Sequence, residues 1–314
     1  MAGAVVVVIA IVTALVVLMP RYRGPAAKST RTTTTSSGAL SGASLPGAFA
    51  EGAGAAGPLI VLAHRGGFEK FPPETLPALL SAAQAGDAVE TDVQWTSDNV
   101  PILIHEDTAG TAATANTGLM PMACTGGPYL IAKTTWTVLK ARCATIAQAS
   151  RDGTRYPIAT LDEAMQKIAA VPGAQIFAEV KAQGQSVAQT ALFLTIIEKY
   201  GMAKRAVVTS FYPDALERTR VQAQADGVSV RLMRFVRPDQ GKLPTAAELG
   251  SEHLDAVAIR FDAVTAPYVQ ALKAQKLLVI DWTTDTLPQW AAGKAAGVAT
   301  VLTDRPGAYR ATLK

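Results

Sequence analysis

The sequence predicts an α/β protein of the (β/α)8 barrel class, on three observations. Eight short β-rich runs recur along the chain, helical patterns separate most of them, and the alternation fills the stretch from Pro58 to Lys314. The runs are LIVLAH (59–64), AVETDVQW (88–95), AQIFAEVK (174–181), RAVVTSF (205–211), VSVRLMR (228–234), LDAVAIR (254–260), KLLVIDW (276–282) and VATVLTD (298–304). Between them lie TLPALLSAAQAG, SVAQTALFLTIIEKYG, YPDALERTRVQAQADG, TAPYVQALKAQ and LPQWAAGKAAG, several ending on the glycine expected past a helix C-terminus. A doubly wound open sheet is the main alternative. It would want a glycine-rich dinucleotide fingerprint after the first run, and none follows in that form.

Ahead of the first strand, Ala2 to Met19 are 18 uncharged, mostly apolar residues, about 27 Å as a helix and close to the thickness of a bilayer core. Residues 1–20 are therefore expected to be a transmembrane anchor or a signal segment, with an ordinary buried helix as the remaining reading. The missing charged n-region and nearby small-x-small site favour an uncleaved anchor over a cleaved signal. Residues 21–57 read as a Ser/Thr/Ala/Gly-rich linker, and 58–314 as the catalytic domain. The positive charges that follow the apolar run argue for a cytoplasmic domain. The linker and the pair Cys124 and Cys143 argue for an extracytoplasmic one, which is the expectation adopted. That pair is either two buried thiols or a disulfide worth about 3 kcal/mol.

Composition excludes some classes of function. The chain is 49% hydrophobic and 17% charged, enough to bury a large core. Its net charge of +4 comes from Arg21, Arg23, Lys28 and Arg31; without these four the basic residues balance the 25 acidic ones. A nucleic-acid binder carries a basic field on its folded part, so no nucleic-acid partner is expected. No protein partner is expected either.

One segment breaks the alternation. TSDNVPILIHED follows the second strand too closely for a crossover helix, so it must return as an antiparallel hairpin strand. A turn centred on Asp98-Asn99 pairs residues whose numbers sum to 197, which sets His105 opposite Asp92. Residues 107–157 then form a small insertion over one end of the barrel.

Residues i and i+2 on a strand share a face, so Glu90 and Asp92 point the same way, as do Glu179 and Lys181. Two aligned carboxylates are either exposed edge acids or a site for a hard divalent cation. Glu179 with Lys181 reads as a structural ion pair or as part of the same site. His64 with Arg65 also lies at a strand's C-terminal end, where active sites of this architecture collect, and the hairpin brings His105 there. Carboxylates for a cation, Arg65 and Lys181 for phosphate charge, and two histidines for proton transfer suit phosphoryl transfer. His253, in GSEHLD, has no such company and reads as a surface residue.

The segments AHRGG, PPETLPALLSAAQAG, VETDVQWTSDNVPILIHED, FAEVK, VVTSF, IDWTTD and VLTDRP, in that order, resemble the glycerophosphodiester phosphodiesterase family from about residue 60 to 308. The resemblance implies a TIM barrel with a small insertion, hydrolysing glycerophosphodiesters to sn-glycerol 3-phosphate and an alcohol. It implies that His64 and His105 are the acid/base histidines, that Arg65 and Lys181 serve the phosphate, and that Trp282 lines the substrate pocket. It further implies that Glu90, Asp92 and Glu179 hold one divalent cation, calcium or magnesium. A phospholipase D or C type reaction on intact membrane phospholipid is the alternative. The sequence departs from the family pattern at PPETL, at HED with the following TAGTAATANTG, and at WTTD, where Asp285 replaces the usual asparagine.

Overall fold

The computed structural model describes residues 61–111, 122–146, 154–181, 184–238 and 241–313. The anchor and linker expected over 1–20 and 21–57 lie outside them. Among the described residues no helix is long and apolar enough to cross a membrane.

Eight parallel strands close on themselves in the order β1 (Leu62–Ala63), β2 (Ala88–Trp95), β9 (Ile176–Val180), β10 (Ala206–Ser210), β11 (Arg231–Val236), β12 (Ala256–Arg260), β13 (Leu278–Trp282) and β14 (Thr300–Thr303). The short β1 completes the ring because it pairs with both β2 and β14. The helices include α1 (Leu76–Gln84), α3 (Leu161–Ala169), α4 (Val187–Lys199), α5 (Pro213–Asp226), α6 (Ala246–Ser251), α7 (Ala266–Ala274), α8 (Leu287–Ala296) and α9 (Pro306–Ala311). Each of α3, α4, α6 and α8 begins with a reciprocal capping box, at Thr160/Glu163, Ser186/Gln189, Thr245/Glu248 and Thr286/Gln289. These boxes satisfy backbone donors that a helix start leaves without partners.

Alternation along the strands sorts their side chains into two layers. Leu62, Phe177, Val207, Met233, Ala256, Leu278, Ile280 and Leu302 form the barrel interior. Their neighbours, among them Ala63, Val89, Ile176, Val208, Val257 and Val279, pack outward beneath the helices. All eight residues of β2 are buried, as expected of a parallel strand covered on both faces. The strand expected over 228–234 runs later, over Arg231–Val236, which carries its inward positions to the mouth of the barrel.

The hairpin forms, but its expected register is off by one. β3 (Pro101–Leu103) pairs antiparallel to β2 with Val93 opposite Leu103 and Trp95 opposite Pro101, a sum of 196. The cause is a three-residue loop, Ser97 to Asn99, in place of a two-residue turn. Thr96 N donates to Val100 O at 3.1 Å, the Thr96 hydroxyl accepts from Val100 N at 2.9 Å, and Asn99 takes a left-handed φ of 60°. Ile104, not His105, therefore stands by Asp92, its N–H donating to Asp92 O at 3.0 Å. His105 follows the end of the strand.

The insertion contains β4 (Thr108–Ala109) paired with β6 (Tyr129–Leu130), and a three-stranded sheet of β5 (Met122–Cys124), β7 (Cys143–Ile146) and β8 (Arg155–Pro157), with α2 (Trp136–Arg142) between. Ile131, Leu139 and Cys143 pack with Ile102 and Ile104 of the hairpin, so the insertion leans on β3. Cys124 and Cys143 face each other across β5 and β7 and are joined as a disulfide.

Asp281 has the outward parity of β13 and is buried under α8, against Gly293, where a Cβ would lie 2.2 Å from its Oδ2. Burial pushes its carboxyl up to about 7. The folded state thus holds a proton that the unfolded chain releases near 3.8, so stability is full below pH 4 and declines as pH rises to about 7. The loss across that window is on the order of 4 kcal/mol. Asp281→Asn should melt several degrees above wild type at pH 8 and alike at pH 4; equal melting temperatures at both would contradict the buried-acid reading.

Candidate active site

The chain turns sharply at the end of β1. Arg65 adopts φ 51° and Gly66 φ 80°, and a Cβ at Gly66 would stand 2.6 Å from the backbone of Ala78 and Leu79 in α1. This close approach carries His64 and Arg65 into the mouth of the barrel. His64 Nδ1 lies 2.5 Å from Asp304 Oδ1, just beyond β14. Asp304 is itself tethered, its N–H donating to Asp285 Oδ1 at 2.8 Å, while the Thr303 hydroxyl donates to the same oxygen at 3.0 Å. Asp285, the departure in WTTD, thus sits two links from the histidine.

Beneath the mouth, Glu90, Asp92 and Glu179 are buried, and one carboxylate oxygen of each lies within 4.8 Å of the others. Lys181 Nζ is 2.9 Å from Asp92 Oδ1 and 3.0 Å from Glu179, and Arg65 Nε is 2.9 Å from Asp92 Oδ2. The Arg65 N–H donates to Glu90 Oε2 at 3.0 Å. A fourth buried acid, Glu74 from PPETL, accepts from the Thr91 hydroxyl at 2.7 Å and from Asp92 N at 3.1 Å. Its left-handed φ of 61° is how this loop sets a glutamate behind the strand.

Four buried carboxylates face two cations, the buried Arg65 and the half-buried Lys181, and their proton affinities record the imbalance. Burial, then Asp92 and the other acids, raises Glu90 well above the carboxylate range; burial and Asp92 do the same to Glu74. Burial pushes Glu179 up to about 7, with Lys181 opposing. Asp92 alone is held low: burial works against its charge, but Lys181 and Arg65 together outweigh it. An all-oxygen cluster with excess negative charge is the donor set of a hard divalent cation, so Glu90, Asp92 and Glu179 fit one.

On the other side, Gln94 Nε2 donates to His105 O at 2.9 Å, fixing the backbone after β3, and His105 Nδ1 lies 3.2 Å from Glu106 Oε1. Burial lowers the His105 pKa, with Glu106 offsetting part of the effect. His64, Arg65, Glu90, His105, Glu179, Lys181 and Trp282 line a single cavity of about 550 Å³. Asp92 lies beneath them, ion-paired with Lys181 and Arg65. His253 is exposed and away from this cavity.

Trp282 belongs to an aromatic cluster. Its indole N–H donates to Ala258 O at 3.0 Å, and its ring meets Phe211 and Phe235 edge-on at 5.3 and 5.5 Å between centroids. Phe211, Phe235, Asp304 and Arg237 are site residues that the sequence reading did not single out, and Glu74 is one it marked only as part of the PPETL departure. For four of them the signal was available: Phe211, Phe235, Arg237 and Asp304 continue the inward parity of their strands. Glu74 had no such signal, because a loop places it.

Fold and site together define a (β/α)8 barrel whose mouth pairs two histidines with an acidic, cation-competent floor. The glycerophosphoryl diester phosphodiesterase family model matches residues 64–308, and the chain belongs to that family. A 48-residue stretch is 48% identical to glycerophosphodiester phosphodiesterase 1 of Rattus norvegicus and 46% identical to that of Homo sapiens. The stretch is 15% of this chain, and the match spans 14% of the length of these curated relatives. Among solved structures, a glycerophosphodiester phosphodiesterase from Parabacteroides distasonis superposes with a TM-score of 0.62 at 18% identity, covering 81% of this chain and 96% of that one. An Oleispira antarctica phosphodiesterase in complex with the product sn-glycerol-3-phosphate gives 0.64 at 22%, covering 81% and 96%. These two likenesses are likenesses of fold.

Proposed function

We propose that this protein hydrolyses glycerophosphodiesters to sn-glycerol 3-phosphate and an alcohol. The observation that carries the proposal is the meeting, in one cavity, of two histidines with three clustered carboxylates and two cations. Arg65 and Lys181 orient the phosphate through its non-bridging oxygens. The Nδ1–H of His64, directed at Asp304, leaves Nε2 to take the proton of the attacking hydroxyl, and the Asp304 carboxylate then faces the imidazolium that forms. That hydroxyl is the 2-hydroxyl of the substrate's glycerol, and its oxygen bonds to phosphorus as the P–O bond to the leaving alcohol breaks. His105 protonates the departing alkoxide, and water then opens the cyclic phosphate to sn-glycerol 3-phosphate with the two histidines in exchanged roles. Glu106 supports the protonated form of His105 against burial.

Glu90, Asp92 and Glu179 would hold one divalent cation, Ca2+ or Mg2+. When bound, it supplies Lewis-acid polarisation of a phosphoryl oxygen. We further propose that the domain works outside the cytoplasm, anchored to a membrane by residues 1–20; the Cys124–Cys143 disulfide supports an oxidising compartment.

The test is release of sn-glycerol 3-phosphate from glycerophosphocholine and from bis(glycerol) phosphate by the full chain, with EDTA and then with Ca2+ or Mg2+ restored. Metal-restored release supports the reading. No release from either diester, by folded protein in either metal, refutes it.

A further inference from the structure

His64 is aimed by a chain of contacts that begins outside the cavity. Asp304, its partner at 2.5 Å, is held at two further points: its N–H donates to Asp285 Oδ1 at 2.8 Å, and its carbonyl accepts from Phe68 N at 2.8 Å. The same Asp285 oxygen accepts the Thr303 hydroxyl at 3.0 Å, and that hydroxyl in turn accepts from Arg305 N at 3.0 Å. One carboxylate oxygen thus fastens residues 303 to 305, two directly and the third through a hydroxyl that both donates and accepts.

Asp285 is itself fixed. Its N–H donates to Gln289 Oε1 at 3.0 Å, the oxygen that also closes the capping box at the start of α8, and its carbonyl accepts from the Arg305 guanidinium at 3.4 Å. The turn after β13 and the turn after β14 are therefore locked to one another and to a helix. Asp285 does not line the cavity, whereas Asp304 and His64 do. Its route to His64 runs through Asp304.

A neutral imidazole carries its proton on either nitrogen, and the hydrogen bond made by one sets the role of the other. Free histidine prefers the proton on Nε2. A carboxylate 2.5 Å from Nδ1 draws the proton there and leaves the Nε2 lone pair to accept. This holds only while the carboxylate stays in place, and a misplacement of about 1 Å at such a contact can cost about 10²-fold in rate.

We propose that Asp285 is a positioning residue for His64: by holding the Asp304 N–H and the Thr303 hydroxyl on one oxygen, it aims the Asp304 carboxylate and keeps His64 in its Nδ1–H tautomer. For turnover the proposal rests on the diesterase reading above; the tautomer is independent of it. The group required is an acceptor oxygen rather than a charge, so asparagine can fill the role and alanine cannot.

The chain has three histidines, so isotope-labelled histidine gives three imidazoles in the nitrogen spectrum of the full chain, and His64→Ala identifies the signals of His64. At about pH 9, above the ordinary histidine range, wild type and Asp285→Asn should show His64 with its proton on Nδ1. Asp285→Ala and Asp304→Ala should show it mainly on Nε2. Should Asp285→Ala fail to fold, Thr303→Val, which removes one of the two bonds, should move the signals part of the way in the same direction. In turnover of bis(glycerol) phosphate, Asp285→Ala should lower kcat by about tenfold or more with KM within about twofold of wild type. Asp285→Asn should recover most of that loss, and adding Asp285→Ala to Asp304→Ala should cost little more than Asp304→Ala alone.

A wild-type His64 protonated on Nε2, or an Asp285→Ala variant that keeps either the wild-type tautomer or the wild-type kcat, overturns the proposal. So does an Asp285→Ala loss that simply adds to that of Asp304→Ala, the sign of a structural role independent of Asp304. An Asp285→Asn variant that behaves as the alanine one removes the acceptor-oxygen account and overturns it too. An absence of diester turnover in wild type sinks the diesterase reading, while the tautomer still decides this one.

Discussion

His64→Ala and His105→Ala each lower turnover by about 10²- to 10⁴-fold, the range expected when one proton-transfer group is removed from a general acid/base pair. The barrel is expected to survive both. Neither histidine belongs to the apolar clusters of the barrel interior or the helix layer, and each meets its partner, Asp304 or Glu106, at the mouth. Circular dichroism and melting temperature close to wild type, beside the lost turnover, would separate a chemical role from a structural one. Asp304→Asn should fall between wild type and His64→Ala. The amide can still contact Nδ1, but it no longer carries the charge that favours the imidazolium. Wild-type rates in either alanine variant would remove the acid/base assignment, and an Asp304→Asn rate equal to wild type would show that His64 acts without its partner.

The sequence showed much of this site because a strand's period of two is a geometric rule. Once Glu90 and Asp92 share a face, and Glu179 with Lys181 another, a closed barrel must bring those faces to a common axis. His64 and Trp282 obey the same parity at their strand ends. What escaped lies where the period stops. The hairpin register depends on one residue of loop length, which Asn99 and the Thr96 hydroxyl decide through hydrogen bonds that no pattern displays. Glu74 reaches the back of β2 from a loop, through a left-handed backbone that only tertiary contacts select. Asp304 lies in VLTDRP, yet its partnership with His64 spans 240 residues and exists only because β14 closes onto β1.

The departures from the family pattern also resolve into contacts. Asp285 does not reach the cavity; it holds the backbone of Asp304, and burial together with Asp304 raises its pKa. Among the described residues, nothing of the insertion beyond Asp107 lines the cavity. The cavity wall on the side of β10 to β13 is instead lined by Phe211, Tyr212, Phe235 and Arg237, on strands where the sequence reading had placed only Trp282.

Glu90→Gln should separate stability from function in opposite directions. In wild type without metal, Glu90 sits among Asp92, Glu74 and Glu179 with only Arg65 and Lys181 to balance them, and its charge is opposed both by burial and by its neighbours. Glutamine keeps the shape and an oxygen to accept from Arg65 N, while removing one charge from that excess. In EDTA at neutral pH the variant should therefore melt above wild type. Adding Ca2+ or Mg2+ should raise the wild-type melting temperature by binding the folded state alone, an effect worth about 2.7 kcal/mol at a hundredfold excess over Kd. The variant should gain little of that and lose most of its turnover. A variant that melts below wild type in EDTA would show that Glu90 stabilises the fold as an ordinary ion-pair partner. One that keeps the full metal-dependent rise would show that the cation binds elsewhere. The expected crossing, with the variant more stable without metal and less stable with it, is what a carboxylate cluster retained for a cation should produce.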